Sequence, residues 1–300
     1  MSAWPLVLLL SLIPLGAQVF RAEARLVRVP VWSDGRPLLS DLEGFTVNDA
    51  GVRQRVVSVD RLLGPLDVTV IVESRGIDRS LPLEAIAGRS SRASASLVSE
   101  MSAALGHVRA GLRQEDTLTT LDASGGISVF GHAPAYSRES AVLDAVAMAL
   151  TMAPKKDRNQ VVVVVSNGYD TLSVTTRELR LQTVARSTAP VFAALIRRGN
   201  PAAAAYREWA NGRVVAVAPV GAVDSGVAEM ARASGGWVTE VPPATRIAEA
   251  VQKAIEAYRS GYLLAYAPTN VSRGGWHPIE VTHRSGAALR HRAGYVDDGR

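Results

Sequence analysis

Cysteine is absent from this chain of 300 residues. Without thiols the protein cannot form structural disulfides, cysteine-ligated zinc or iron–sulfur sites, a thiol nucleophile, or a lipid-modified cysteine after a signal peptide. Its stability therefore has to come from packing.

Lysine is also scarce, since only Lys155, Lys156 and Lys253 are present and the positive charge is almost entirely arginine. The 33 basic and 28 acidic residues give a net charge of +5. The arginines are scattered among acidic and apolar residues instead of forming a stripe interleaved with aromatics, which argues against a nucleic-acid partner. Hydrophobic residues make up 47% and charged residues 20%, values that exclude wholesale disorder.

Long hydrophobic runs are limited to residues 1–17, MSAWPLVLLLSLIPLGA, which are broken by Pro5 and Pro14. This stretch is shorter than the roughly 20 apolar residues of a membrane-spanning helix. We expect a secretory signal peptide, cleaved after Ala17 or as late as Ala24, with an uncleaved amino-terminal anchor as the alternative. The chain is then exported, to the periplasm or outside the cell, and has no other membrane contact.

The rest of the chain changes character twice. Both ends alternate apolar and polar residues, which predicts β-strands, whereas Asp67–Val72 and Val161–Val165 are continuous β-branched runs typical of parallel strands buried on both faces. These runs alternate with helical patterns, so we predict an α/β fold, a doubly wound and mostly parallel sheet with helices on both faces and β-rich flanks. The predicted divisions are a signal peptide at 1–17, a β-rich lead-in at 25–62, the α/β domain at 63–260 and a β-rich segment at 261–300.

Individual elements follow from the same patterns. The predicted helices cover residues 83–112, 141–152, 175–189, 226–234 and 244–260. The predicted core strands cover 67–72, 117–121, 127–130, 161–165, 191–196 and 214–220. A hairpin is predicted between residues 45–47 and 52–59, and Tyr262, Tyr266 and Trp276 are predicted as core residues of the C-terminal strands. Neither end has enough strands to bury a sheet face alone, so we expect the two ends to pack together.

Ligands of open α/β sheets bind beyond the carboxyl ends of the strands, where the winding direction reverses. The loops to inspect are therefore those that follow Val72 and Val165. They read Glu73-Ser74-Arg75-Gly76-Ile77 and Ser166-Asn167-Gly168-Tyr169-Asp170.

With these loops and the order of its motifs, the chain resembles a von Willebrand factor type A (VWA) domain. More narrowly, it is similar to secreted bacterial VWFA-related proteins with a β-rich lead-in and a tail of the form YLLGY.P … R.GY. The matching segments are VPV at 29–31, DGRP at 34–37, FTV at 45–47, the strand at 68–72, SAVLDA at 140–145, VVVVVSNG at 161–168, ARASGGWV at 231–238, YLLAYAP at 262–268 and RAGY at 292–295. The resemblance implies a VWA fold and a protein-interaction module that is not an enzyme.

The resemblance also implies where a metal-ion-dependent adhesion site would lie. The family uses D-x-S-x-S after the first strand, a Thr before the middle helix and an Asp after the valine-rich strand, oxygen ligands that suit Mg²⁺. The matching positions in this chain are Glu73, Arg75, Ile77, Ser140 and Asn167, of which only Ser140 is conservative. At about 4 Å and an effective dielectric constant of about 20, Arg75 would repel a dication by about 8 kcal/mol. We therefore predict a degenerate site that holds no metal and no other cofactor.

The expected partner is another protein, whose identity the sequence does not give. The candidate partner-binding residues are Glu73, Ser74, Arg75, Ser140, Asn167 and Asp170. A second hypothesis is a Mg²⁺- or Mn²⁺-dependent adhesin that binds the ion through Glu73, Ser140, Asn167 and Asp170. The same polar residues also fit ordinary turns whose side chains satisfy loop amides.

The sequence motifs give little support for an enzymatic function. A secreted hydrolase could draw on Ser166, His132 and Asp170, but the G-x-S-x-G nucleophile motif is missing. The phosphate-binding patterns G-x-x-x-x-G-K-[ST] and G-x-G-x-x-G after a strand are absent as well. His277, His283 and His291 are expected to lie on different strands separated by turns, with no carboxylate positioned to orient them, so no zinc site is predicted.

Overall fold

The computed structural model describes residues 26–33, 41–73, 99, 102–129, 140–155, 157–166, 168, 170–196, 206–210, 213–217, 226–241 and 247–299. In chain order the strands are β1 Val27–Ser33, β2 Phe45–Asp49, β3 Val52–Gln54, β4 Val56–Arg61, β5 Leu66–Val72, β6 Thr117–Asp122, β7 Ser128–Val129, β8 Asn159–Ser166, β9 Val191–Ile196, β10 Tyr206–Ala210, β11 Arg213–Val217, β12 Val238–Val241, β13 Tyr262–Tyr266, β14 Gly275–His283, β15 Leu289–His291 and β16 Gly294–Asp297. The helices are α1 at 102–111, α2 Val142–Thr151, α3 Arg177–Arg186, α4 Gly226–Ala233 and α5 Ile247–Arg259, with a short 3-10 helix at Leu42–Gly44.

Six strands form the central sheet, in the order β7-β6-β5-β8-β9-β12. Neighbouring strands are parallel except β6 and β7, which are antiparallel. Numbered along the chain, the order is 3-2-1-4-5-6, so the winding direction reverses between β5 and β8. The predicted doubly wound, mostly parallel sheet is confirmed.

The valine run of β8 supplies two hydrophobic cores at once. Val161, Val163 and Val165 pack in the core that includes α5, whereas Val162 and Val164 pack in the core that includes α2 and α4. Successive side chains of a strand point to opposite faces, so a strand covered by helices on both sides has to be apolar at every position. This is why the sequence shows a continuous run and not an alternation.

The two ends of the chain build two further four-stranded sheets, β15-β1-β13-β4 and β16-β14-β2-β3, with antiparallel neighbours. Strand β1 lies between β13 and β15, so an N-terminal strand is paired on both sides by C-terminal ones. Val29 and Leu264 from one sheet share a buried core with Phe45 and Val281 from the other. We call these two sheets the sandwich.

Both sheets of the sandwich contact the α/β unit, the second one through β16, which lies against α3. Trp32 is buried in the α5 side of the α/β core, and its indole Nε1 donates to the Tyr258 carbonyl at 3.1 Å. The Arg292 guanidinium, 5% exposed, donates through Nη2 to the Ala185 carbonyl at the end of α3 at 2.5 Å. Burial lowers the pKa of Arg292 to about 10, while Tyr266 and Tyr295 act in the opposite direction.

Three expectations for individual elements are wrong. Residues 52–59 are not one strand, because β3 ends at Gln54 and pairs with β2, while β4 starts at Val56 and joins the other sheet of the sandwich. Strand β11 pairs with β10 in a separate antiparallel hairpin, and the sixth strand of the central sheet is β12. Trp276 is 52% exposed, because β14 turns it to the outer face of the sandwich.

The other predicted elements within the described ranges are found with small shifts of their ends, and Tyr262 and Tyr266 are buried as predicted. The expected signal peptide at 1–17 and the predicted helical residues 83–98 lie outside the described residues. The domain divisions stay predictions. Among the helices of the described ranges, none is long and apolar enough to cross a membrane.

Candidate functional site

The candidate site lies at the carboxyl edge of the central sheet, where the winding reverses between β5 and β8. Glu73 directly follows β5, and its amide donates to the Val165 carbonyl of β8 at 3.3 Å. Polar side chains gather at this edge although each is at most 3% exposed: Glu73, Asp122, Ser124, Ser140 and Ser166. Buried polar groups at the end of a sheet are stable only when they are hydrogen-bonded, so their partners decide what the edge can bind.

The Glu73 carboxylate is turned inward. The Ser166 hydroxyl at the end of β8 donates to Glu73 Oε2, and Ser166 Oγ accepts from the Gly168 amide at 2.8 Å. Gly168 has a φ of +83°, a backbone conformation that glycine adopts without strain. Glu73 and Ser166 are 1% and 0% exposed, so the hydrogen bond between them is buried at the end of the sheet.

Ser140 lies directly before α2 and is fixed through its backbone. Its amide donates to the Thr171 hydroxyl at 2.9 Å, and its carbonyl accepts from the amides of Thr171 and Leu172 at 2.9 and 2.8 Å. The Ser140 hydroxyl oxygen is buried and has no hydrogen-bond partner. Within the described part of this edge, the Ser140 oxygen is a buried acceptor that its protein neighbours leave unused.

Helix α2 begins without a capping side chain of its own, because its N-cap residue is Ala141. The first amides of a helix have no acceptor within the helix and need one from elsewhere. The loop after β8 supplies two, since the Leu143 amide donates to Asp170 Oδ1 at 3.4 Å and the Asp144 amide donates to Ser173 Oγ at 2.9 Å. The Ser173 hydroxyl in turn donates to Asp170 Oδ1 at 2.7 Å.

The contact is reciprocal, because α2 also provides an acceptor for the loop. Asp144 accepts from the amides of Val174 and Thr175 at 2.9 and 3.1 Å, and from the Thr175 hydroxyl. Partial burial disfavours the carboxylate, but these hydrogen bonds and the nearby Arg180 guanidinium hold the pKa of Asp144 below its ordinary value of 3.8. We call this set of contacts between α2 and residues 170–175 the α2 latch.

The α2 latch presents an apolar side chain to solvent. Val174 is 88% exposed although its backbone amide is bonded to Asp144. The following helix is fixed as well, because the Thr176 hydroxyl caps α3 by accepting from the Leu179 amide at 3.3 Å, and Arg177 pairs with Glu229 of α4. Because the loop is fixed at both ends, ordering this valine in a contact would cost little entropy.

Of the residues predicted at the site, Glu73, Ser140 and Asp170 are described, and each has hydrogen-bond partners of its own. Glu73 meets Ser166, Ser140 meets Thr171 and Leu172, and Asp170 caps α2. The remaining predicted positions lie outside the described residues: Ser74, Arg75, Ile77 and Asn167. His132, proposed for a hydrolase, also lies outside them.

Sequence reasoning missed Asp144, Ser173 and Thr175 as parts of this edge. A signal for them existed, since Ala141 is a poor N-cap and a helix that starts there needs acceptors from another segment. What the sequence does not show is which segment provides them, because Asp144 and Val174 are 30 residues apart.

The carboxylates in the described part of the edge are bonded to protein donors. No group of three or more His, Cys, Asp or Glu side chains within the described ranges could hold a metal ion. Glu73 accepts the Ser166 hydroxyl, and Asp170 accepts the Leu143 amide and the Ser173 hydroxyl, so both carboxylates already have protein donors.

Two expectations for the C-terminal histidines are wrong. His277 and His283 lie on the same strand, β14, and a carboxylate does orient His277. Its Nδ1 lies 3.0 Å from Asp49 Oδ1, and Asp49 Oδ2 accepts from the hydroxyls of Tyr266 and Tyr295 at 2.8 Å each. Asp49 and His277 are 0% and 1% exposed. The cluster lies in the core of the sandwich, away from the sheet edge, and it holds only one histidine.

The fold and this edge define a doubly wound α/β domain with its loops clustered at the carboxyl ends of the strands. No protein-family model matches the sequence, and no curated protein matches it. Solved structures that are similar to this chain include an aerotolerance-related membrane protein from Bacteroides fragilis, with 12% identity, 65% of this chain and 98% of that chain covered, and a TM-score of 0.43. BatB from Bacteroides thetaiotaomicron has 11% identity, the same coverage of 65% and 98%, and a TM-score of 0.42. A von Willebrand factor type A protein from Catenulispora acidiphila has 10% identity, covers 93% of this chain and 76% of that chain, and gives a TM-score of 0.40.

Proposed function

We propose that this chain is an exported, non-enzymatic protein-interaction module of VWA type, which binds another protein without a metal ion through the loops at the carboxyl edge of its central sheet. The α2 latch carries the proposal. In it, protein donors and acceptors hold the loop after β8 against α2 and leave Val174 exposed at the rim. The apolar stretch at residues 1–17 supports export.

The burial and the hydrogen bond of Ser166, the candidate nucleophile, support the absence of catalysis. The Ser166 hydroxyl donates to Glu73 and is fully buried, so a substrate carbonyl has no approach to Ser166 Oγ. Asp170 is occupied with the amide of Leu143 and is not positioned beside Ser166 by any contact in the described ranges. A nucleophile needs a base within hydrogen-bond reach together with room for the substrate.

A Mg²⁺- or Mn²⁺-dependent adhesin is the second candidate, favoured by one observation. The Ser140 hydroxyl is buried at the sheet edge without a hydrogen-bond partner, as expected of an oxygen that coordinates a metal ion when the ion is bound. Against it, the matching positions Arg75 and Ile77 supply a positive charge and an apolar side chain where the family has hydroxyls.

A metal titration separates the two candidates. Under our proposal, millimolar Mg²⁺ or Mn²⁺ leaves the thermal midpoint unchanged, because an ion that does not bind the native state does not stabilise it. The variant with Glu73→Asp, Arg75→Ser, Ile77→Ser and Asn167→Asp regains the family's ligands, and its midpoint should rise with metal. A rise in the unmodified protein that Glu73→Ala abolishes would establish the adhesin instead.

The binding surface is tested with paired valine variants of the full chain. A partner captured from exported proteins and then purified should bind Val174→Asp at least about tenfold more weakly, because an apolar contact at the rim is replaced by a charge. Val57→Asp is the matched control, since Val57 is 46% exposed but lies on β4 of the sandwich. Equal affinity of the Val174→Asp variant and the wild type would remove this loop from the interface.

A further inference from the structure

Three of the five histidines of the chain lie in the C-terminal strands of the sandwich. His277 and His283 belong to β14, and both are at most 6% exposed; His291 ends β15 and is partly buried. The proposed function uses none of them. Because histidine changes charge close to neutral pH, the hydrogen bonds of these rings determine how the sandwich responds to acid.

Each ring nitrogen of His291 faces a backbone group that can act only as a donor or only as an acceptor. The backbone amide of Val281 donates to His291 Nε2 at 3.3 Å, and the Arg292 carbonyl lies 2.9 Å from His291 Nδ1. An amide can only donate and a carbonyl can only accept, so Nε2 carries the lone pair and Nδ1 carries the proton. His291 is therefore a neutral imidazole, and adding a proton to Nε2 breaks the bond to Val281.

His283 is neutral by the same argument, with the opposite tautomer. The backbone amide of Ser285 donates to His283 Nδ1 at 3.2 Å, and the Ser285 hydroxyl lies 2.7 Å from the same nitrogen. Nδ1 is therefore the acceptor, and the proton of the neutral ring is on Nε2. A proton on Nδ1 would break the bond to the Ser285 amide and leave the Ser285 hydroxyl as the acceptor for this nitrogen.

Charged groups around the three rings act in different directions. Strands β1 and β14 face His291 with the uncharged Val31 and Val281, and the guanidinium of the next residue, Arg292, bonds to the carbonyls of Gly294 and Ala185. Beside His283, the Asp41 carboxylate is paired with Arg284, and Phe45 of β2 meets the ring edge-on with centroids 4.8 Å apart.

His277 differs from the other two rings. The Asp49 carboxylate faces it, with the hydroxyls of Tyr266 and Tyr295 on the same carboxylate, so a proton on His277 forms an ion pair. This histidine therefore stays unchanged in every variant of the tests below.

The strand that His291 ends is also part of the junction with the α/β unit. The next residue, Arg292, donates to the Ala185 carbonyl at the end of α3 at 2.5 Å, and the Ala293 amide donates to the Ala233 carbonyl at the end of α4 at 3.1 Å. His291 therefore lies one and two residues before the contacts that attach the sandwich to α3 and α4.

We propose that His283 and His291 form two acid-sensitive contacts in the sandwich. Protonation of the two rings breaks their bonds to the amides of Ser285 and Val281. As a result, β14 and β15 loosen from each other and from the α/β unit. The device is independent of the binding function proposed above. Its sign follows from the tautomers: the two contacts are intact while both rings are neutral and are lost when the rings take up a proton.

The tautomers are tested directly on the full chain by nitrogen NMR of the imidazole rings at a pH of about 7.5. The expected result is the Nδ1–H tautomer for His291 and the Nε2–H tautomer for His283. An imidazolium, or the opposite tautomer at either ring, would overturn the proposal. Because this measurement uses the unmodified protein, it tests the assigned tautomers even if the variants fold poorly.

The response to acid is tested with the double variant His283→Gln and His291→Gln. Between a pH of about 7.5 and about 5.5, a range above the titration of ordinary carboxylates, the wild-type thermal midpoint should fall by about 3 °C or more. The double variant should lose at least half of that fall, because glutamine does not change charge. His107→Gln is the control, since His107 is exposed on α1 and should leave the fall unchanged. A double variant with the wild-type pH dependence would contradict the proposal.

Discussion

The Asp144 carboxylate accepts a hydrogen bond from the backbone amide of Val174 at 2.9 Å. This bond joins the first turn of α2 to the loop after β8, and the Asp144 amide returns the contact by donating to Ser173 Oγ. A helix whose N-cap is alanine thus obtains its caps from a loop, and the loop obtains its order from the helix. The rim of the candidate site is therefore shaped by α2 as much as by the strands below it.

Replacing Asp144 with alanine should destabilise the protein by about 1–3 kcal/mol, because two backbone amides and one hydroxyl lose their acceptor. The folded-state pKa of Asp144 lies below the ordinary 3.8, so its contribution is fully present above that pH and is lost as the pH falls through the folded-state value. Chemical denaturation of wild type and variant at neutral and at strongly acidic pH measures both effects. Asp60→Ala, at an exposed carboxylate of β4, is the control, and an equal effect of the two substitutions would contradict the role of the latch.

Replacing Asp49 with alanine should cost about 3 kcal/mol or more, since His277, Tyr266 and Tyr295 would all lose a buried acceptor. Tyr295→Phe is the milder comparison, because it removes one donor and leaves Asp49 with two. We expect it to cost about 1 kcal/mol beyond any change in packing. Urea denaturation that ranks Tyr295→Phe as the more damaging variant would refute the assignment of Asp49 as the centre of the cluster.

Replacing Gly236 with alanine should disrupt the edge of the central sheet. A Cβ at this position would lie 1.9 Å from the Val191 carbonyl oxygen, which is backbone and can move only with β9. We expect a loss of about 2 kcal/mol or more, as for other substitutions that strain a packed backbone. Gly106→Ala is the matched control, because a Cβ on that residue of α1 meets nothing within 4 Å and should stabilise the helix by about 0.5–1 kcal/mol. Thermal midpoints that change equally in the two variants would count against this packing.

Deleting residues 262–300 should abolish the cooperative unfolding of the full chain. The deletion removes β13, the strand between β1 and β4, and exposes the faces of Val29 and Phe45 in the core of the sandwich. Trimming residues 298–300 is the control and should leave the midpoint unchanged, since it removes no strand. A truncated protein that unfolds at the wild-type midpoint would show that the two ends do not form one structural unit.

Several features of the fold were predictable because they depend on local patterns. The valine run at 161–165 has no polar position, and a strand of that kind is stable only between two layers of helices, which indicates the doubly wound sheet. The alternation at the two ends indicated strands with one buried face. By contrast, the switch of the chain from one sheet to the other between Gln54 and Val56 was missed, because both pieces have the same strand-forming pattern.

The location of the candidate site was predictable from the sequence, but its residues and hydrogen bonds were predictable only in part. Strand order and winding put it after β5 and β8, and Glu73, Ser140 and Asp170 do lie at that edge. Their hydrogen-bond partners were not predictable, since neither the pairing of Glu73 with Ser166 nor that of Asp144 with Val174 leaves a pattern in the sequence.

By itself the sequence determined the fold class, the absence of thiol chemistry and the edge at which to look for binding, because composition and local periodicity control which segments are strands and which faces are buried. The tertiary structure alone decided that Asp49 meets His277 across 228 residues, that the ends of the chain share one sandwich, and that α2 is capped by a distant loop. The physical reason is that hydrogen bonds and ion pairs depend on atoms within about 3 Å of each other. Which atoms meet at that distance is fixed by the packing of the whole chain, and the order of its residues shows this only indirectly.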